Sequence, residues 1–258
     1  MDYQAISFVV ENDIALLTLN RPDVMNALST QMRAEITHAV KGADKVARVL
    51  VITGAGKAFC SGQNLSDTGT AASMDLERVL RDEYEPMLRA ITDLRIPTIA
   101  AVNGAAAGAG ANLALATDVV IASEDAFFMQ AFARIGLIPD AGGTWFLPRQ
   151  IGLARAMGAA LFADRIPARQ AADWGMIYEA VAADEFDAHW RARAAQLAAG
   201  PTKAYRHIKD ALRQSSANTL EEQLNLEAKL QGRCGQTRDF QEGVVAFREK
   251  RPPSFEGR

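Results

Sequence analysis

Ile96 to Ser123 reads IPTIAAVNGAAAGAGANLALATDVVIAS, and its alternation decides the fold class. Pro97 to Val102 is a compact apolar run of strand length, and Asn103-Gly104 interrupts it. Gly108 to Ala116 favours a helix, and Asp118 to Ala122 is a second apolar run. Strand, loop, helix and strand in such close succession argue for an α/β architecture with short parallel or mixed strands. Toward the N-terminus, two apolar runs between Ala5 and Asn20 flank Glu11-Asn12-Asp13, which predicts a hairpin ending at Arg21-Pro22. Helical spacing follows over Thr30 to Val46, a strand over Arg48 to Thr53, a polar loop through Ser73 and a charged helix over Met74 to Leu94. Toward the C-terminus, helical periodicity covers Ile151 to Phe162, Pro167 to Trp174 and most of the chain after Asp184. Pro201 opens a helix-compatible stretch, so the chain divides into a core of residues 1–200 and a helical subdomain of residues 201–258.

With 258 residues the chain can bury a sizeable core. The balance of 49% apolar and 23% charged residues is that of an ordinary globular protein. A net charge of −3 and the lack of a long basic run disfavour nucleic acid and anionic lipid as partners, which leaves small-molecule chemistry. Two cysteines, Cys60 and Cys234, suit a reduced compartment better than a disulfide framework. The first residues carry no basic, then apolar, export pattern, and no long uninterrupted apolar run suggests a membrane span. A cytoplasmic protein is expected.

Several short motifs fail on chemistry. Gly54-Ala55-Gly56-Lys57 follows a strand, but Val51 stands where a phosphate loop needs glycine, and Ala58 where it needs Ser or Thr. The segment from Gly108 to Leu113 lacks the last glycine of a dinucleotide fingerprint. His38, His189 and His207 lie far apart with no cysteine at ligand spacing, so no metal site is expected. Cys60-Ser61 has neither a nucleophile elbow nor a visible base.

Two small-residue backbone segments remain, Lys57 to Asn64 after a strand and Gly108-Ala109-Gly110 at a helix start. Their N–H groups could together form an oxyanion hole, or the small residues could serve only close packing. Asp140, between Pro139 and Gly142-Gly143, is open to two readings, as a turn or cap residue or as an acid/base. Phe127, Phe128, Phe132, Trp145 and Phe146 read first as core, with some available to line an acyl pocket.

Five blocks in order, LNRPDVMNALS, GKAFCSGQNL, IPTIAAVNGAAAGAGANLALATDVVIAS, FARIGLIPDAGGTWFLPR and EGVVAFREKRPPSF, span nearly the whole chain and resemble the crotonase (enoyl-CoA hydratase/isomerase) superfamily. The resemblance implies a spiral of ββα units with a C-terminal helical region, assembled as a homotrimer or a dimer of trimers. It implies an acyl-CoA substrate and no separate cofactor, CoA being part of the substrate. Carried over by position, the backbone N–H groups of Gln63 and Ala109 would hold the thioester oxygen. Ala27, Ser61, Gln63 and Leu65 would lie along CoA, and Phe247 and Lys250 would approach it from the C-terminal region.

The departures narrow the chemistry. Hydratases of this superfamily use two glutamates, and those positions here hold Asn112 and Phe132, which cannot exchange protons. Asp140 instead matches a carboxylate of another branch. IGLIPDAGGTWFLPR, the following LARAMGAALF, WGMIYEAV and TLEEQLNLE are similar to the ring 1,2-epoxyphenylacetyl-CoA isomerases of phenylacetate degradation, in which that aspartate is the acid/base. The resemblance therefore implies an acyl-CoA isomerase acting on a phenylacetate-derived ring-epoxide CoA or a 3-enoyl-CoA. The competing readings are an enoyl-CoA hydratase and a non-catalytic acyl-CoA or RNA-binding homologue.

Overall fold

The computed structural model describes residues 2–64 and 75–258. Strands β1 (Ile6–Glu11) and β2 (Ile14–Leu19) pair antiparallel around Asn12 and Asp13, whose φ values of 50° and 62° are what a two-residue hairpin demands. Asn and Asp tolerate that left-handed region better than most side chains. Helix α1 (Thr30–Ala43) begins where the Ser29 side chain accepts the Met32 N–H. Its Glu35 carboxylate turns inward to accept the N–H groups of Gln4, Ala5 and Ile6, which ties the helix to the chain's first strand.

The chain then steps between two sheets. β3 (Val49–Gly54) joins the first sheet and β4 (Ala58–Cys60) the second. A helical stretch follows, made of α2 (Leu76–Val79), a π-helical turn over Leu80–Tyr84 and α3 (Glu85–Thr92). β5 (Thr98–Val102) returns to the first sheet, β6 (Ala105–Ala107) to the second, and α4 (Ala109–Leu115) closes that ββα unit. β7 (Val119–Ser123) and β8 (Phe127–Met129) repeat the step. A 3-10 turn over Ala131–Ile135 and the loop carrying Asp140 lead into α5 (Gly143–Phe162), which is broken at Gly152. After β9 (Ile166–Pro167), α6 (Ala168–Asp173) and β10 (Glu179–Val181) come α7 (Phe186–Ala198), α8 (Thr202–Gln214), α9 (Leu220–Gly235) and α10 (Arg238–Glu249).

The first sheet runs β1-β2-β3-β5-β7-β10, parallel from β2 onward, and the second runs β4-β6-β8-β9. Alternation explains why the central strands read as unbroken apolar runs. Leu50 and Ile52 enter the main core, while Val49, Val51, Ile99, Ala101 and Ile121 face Phe186, Trp190 and Ala194 of α7. A parallel sheet covered on both faces has no place for a polar stripe.

The expected hairpin, strands and helices are present with ends shifted by a few residues. The short strands β4, β6, β8, β9 and β10 were not expected, nor was the helical segment from Gly143 that precedes the break at Gly152; the helix expected over Ile151 to Phe162 follows that break. Part of the loop read through Ser73 lies outside the described residues. Among the described residues no helix is long and apolar enough to cross a membrane.

Candidate active site

The loop after β4 is the first wall of the site. Leu28 forms an isolated parallel bridge with Gln63: its N–H donates to the Gly62 carbonyl at 2.7 Å and its carbonyl accepts the Asn64 N–H at 3.1 Å. In such a bridge the N–H of the central residue, Gln63, faces away from the partner. The second wall is the start of α4. Its first internal bond runs from the Asn112 N–H to the Gly108 carbonyl at 3.2 Å, so the Ala109 N–H precedes the ladder and needs no partner within the helix.

Two glycines let these walls meet. Gly62 has φ 98°, and a Cβ there would lie 2.9 Å from the Ala107 carbonyl oxygen and 3.5 Å from the Ala109 nitrogen. At Gly110 a Cβ would fall 2.3 Å from the Cys60 carbonyl oxygen, so no larger residue fits.

Asp140 forms the third wall. Its carbonyl accepts the Gly143 N–H at 2.8 Å and the side-chain amide of fully buried Asn112 at 2.8 Å. Gln130 donates in turn to the Asn112 side-chain oxygen at 2.9 Å. The main chain beside the carboxylate is thus fixed from behind. The carboxylate Oδ1 is buried with no hydrogen-bond partner among the described residues, and burial pushes its pKa up to about 6. A carboxyl so tuned gives and takes protons readily near neutral pH.

Ser61, Gln63, Ala109, Phe132 and Asp140 line one cavity of about 580 Å3. Leu80, Tyr84 and Asp140 also line an adjoining cavity of about 760 Å3, whose far side carries Trp145 and Phe146 packed edge to face.

A family model described as enoyl-CoA hydratase/isomerase matches residues 10–258. The chain belongs to the enoyl-CoA hydratase/isomerase family. A Rhodobacter capsulatus relative named "Probable enoyl-CoA hydratase" is 59% identical over the full length of both chains. The 1,2-epoxyphenylacetyl-CoA isomerase of Escherichia coli is 44% identical, over 96% of this chain and 97% of its own. The crystal structure of an enoyl-CoA hydratase from Bacillus anthracis superposes with a TM-score of 0.91 at 32% identity, covering 99% of this chain and 100% of that one. The fold is that of the crotonases.

Within this family member the structure brings Ser61, Gln63, Ala109 and Asp140 to one cavity. Ala27 is buried beside the Leu28 bridge, and Leu65 lies outside the described residues. Phe247 and Lys250 sit elsewhere: Phe247, 85% exposed, lines a separate groove between α8, α9 and α10, and Lys250 ends α10 in a left-handed conformation.

Asn112 holds the Asp140 loop from behind, and Phe132 lines the cavity with its ring 3.8 Å from where a Gly108 Cβ would be. Cys60 is fully buried, its thiol donates to the Asn26 carbonyl, and burial pushes its pKa up to about 12, so it is no nucleophile. Among the described residues no cluster of His, Cys, Asp and Glu could hold a metal ion.

Sequence reading missed Arg33 and Tyr84, which hold the Gln63 side chain, and Glu83, which holds Arg33. A signal was present at one of them. Arg33 falls in register with Ile36 and Val40 on the buried stripe of α1, where a charge demands a partner.

Proposed function

We propose that this family member is an acyl-CoA isomerase in which Asp140 moves a proton between two carbons of the acyl group. One observation carries the reading. A single carboxylate with a raised pKa shares a cavity with two backbone N–H donors, while the family's other two acid/base positions hold residues that cannot ionise.

With a 3-enoyl-CoA, ionised Asp140 takes a proton from C2. The C–H electron pair becomes the C2–C1 double bond of a dienolate, and negative charge collects on the thioester oxygen. The Gln63 and Ala109 N–H groups stabilise that oxygen more than the neutral carbonyl, which is where the rate comes from. Asp140, now protonated, returns the proton to C4, the electrons shift back, and a 2-enoyl-CoA results. No water enters the balance and no cofactor is needed. The aromatic wall beyond Asp140, formed by Tyr84, Trp145 and Phe146, supports a ring-bearing acyl group such as a phenylacetate-derived ring epoxide as the further substrate class. The exposed apolar side chains Ile208, Leu212, Phe240 and Phe247 in residues 201–258 support self-association of that helical subdomain as a homotrimer or a pair of trimers.

The name of the 59% identical relative favours a second reading, enoyl-CoA hydratase. Two substrates separate the readings. The isomerase should convert a 3-enoyl-CoA and exchange deuterium from heavy water while leaving crotonyl-CoA essentially unhydrated. Hydration of crotonyl-CoA at an ordinary enzymatic rate, roughly 1–1000 per second, would replace the proposal with the hydratase reading.

A further inference from the structure

The Gln63 side chain, not only its main chain, is held. Its Oε1 accepts from Arg33 Nη1 at 3.0 Å and from the Tyr84 hydroxyl in a short hydrogen bond. Arg33 Nη1 also donates to the Leu28 carbonyl at 2.7 Å, so a single nitrogen grips both members of the bridge that orients the Gln63 N–H.

The guanidinium is itself fixed on every side. Its side chain is only 2% exposed, Glu83 Oε2 accepts from Nη2 at 2.5 Å and from Nε at 3.1 Å, and Thr30 Oγ1 accepts from Nη2 at 3.1 Å. Burial alone would raise the Glu83 pKa, but hydrogen bonds from Arg33 and Thr30 and nearby positive charge hold it low, so Glu83 stays a carboxylate. The Arg33 guanidinium lies 4.7 Å from the centre of the Tyr84 ring. Glu83 and Tyr84 end the π-helical turn, a helix irregularity that is common where side chains must be re-aimed at a site.

A buried charge of this kind is costly to maintain and gains little stability over apolar packing, but it fixes geometry well. We infer that Arg33 and Tyr84 are positioning residues which, through the Gln63 side chain, aim the Gln63 backbone N–H at the thioester oxygen. The inference rests on the isomerase reading for its kinetic effect but not for its effect on binding. A misplacement of about 1 Å can cost about 100-fold in rate.

The test uses Gln63→Met, which keeps the backbone N–H and side-chain length but removes the strong acceptor, Tyr84→Phe, which removes one donor, and the double variant. Turnover of a 3-enoyl-CoA is measured alongside calorimetric affinities for a saturated acyl-CoA and for the matching CoA thioether that lacks the carbonyl. The expected result is a ~10 to 100-fold fall in kcat for Gln63→Met with a much smaller change in KM, because the donor acts mainly in the transition state. Tyr84→Phe should lose ~3 to 10-fold, and the double variant no more than Gln63→Met alone, as for groups acting through one another. The preference for thioester over thioether should shrink in the same order.

Losses that multiply in the double variant would overturn the inference, as would a Gln63→Met protein whose thioester preference is undiminished, whatever its melting temperature. A wild-type protein that isomerises no CoA thioester would instead overturn the functional reading, and the binding arm would still decide whether the Gln63 side chain and Tyr84 aim the N–H.

Discussion

Asp140 combines a carboxylate oxygen that has no partner among the described residues with a pKa pushed up to about 6 by burial, and both follow from the wall that holds it. On the proposed isomerase reading its ionised form is the base, so kcat/KM should climb about tenfold per pH unit below 6 and level off above it. Asp140→Asn should remove that limb and lower isomerisation and deuterium exchange by ~100 to 10,000-fold, while acyl-CoA still binds. Normal exchange in a folded variant would remove Asp140 from the chemistry. Stability should move the other way. Below the pKa of an unfolded aspartate, ~3.9, both states hold the proton and the residue adds no pH dependence. Between there and about 6 the folded chain keeps a proton that the unfolded chain has lost, so Asp140's contribution falls as pH rises, and the penalty is complete above 6. Asp140→Asn lacks this penalty, so thermal melts should show it gaining on wild type from pH 4 to pH 8. A gap that does not widen over that range would contradict the burial of the charge.

At the scale of elements, the contact of α4 with the loop after β4 decides whether two N–H groups can address one oxygen. Gly110→Ala would place a methyl 2.3 Å from the Cys60 carbonyl oxygen and 2.7 Å from the Cys60 Cβ, so the helix must back away. We expect a loss of ~1 to 3 kcal/mol, as for overpacked cores, read by denaturant titration, and a drop in turnover larger than unfolding explains. Unchanged turnover would mean that the two walls need not touch. Much of this layout was legible. Asn12-Asp13 marked the hairpin, the runs at Leu50 and Ile99 marked buried strands, and Gly108 to Gly110 marked a helix start. β4, β6 and β8 are three residues each, too short to show a period of two. The Gln63 clamp was illegible for another reason. Arg33 lies 30 residues before Gln63 and Tyr84 21 after it, and only the folded chain brings them together.

Across the whole molecule, the last helices are fastened to the sheet through Asp118. Its Oδ1 accepts from Arg213 at 2.6 Å, and its Oδ2 accepts from Lys209 at 2.7 Å and from the Thr98 N–H at 2.8 Å. Lys209 also donates to the Leu94 and Ile96 carbonyls, so its ammonium is held in a largely buried position. Asp118→Asn would leave that ammonium without its counter-charge. Breaking such a pair costs about 3 kcal/mol or more, and hydrogen exchange should report it first in α8. Equal protection in α8 would show that the other contacts, among them the Lys209 bonds to the Leu94 and Ile96 carbonyls, hold α8 without Asp118.

The cavity walls carry one further implication, stereochemical rather than energetic. Among the described residues lining the 580 Å3 cavity that Gln63 and Ala109 share, Asp140 is the sole carboxylate, and a single side chain reaches a bound acyl group from one side. If the proposed isomerisation holds, a carrier confined to one side must collect and deliver on the same face of the planar dienolate, which makes the hydrogen shift suprafacial. Part of the label should also travel with it, since the carboxyl is largely shielded from solvent between the two steps. A 3-enoyl-CoA bearing deuterium at one prochiral position of C2 should yield product with the label at C4 on that same face. Delivery to the opposite face would require a second proton donor, and no other carboxylate lines this cavity among the described residues.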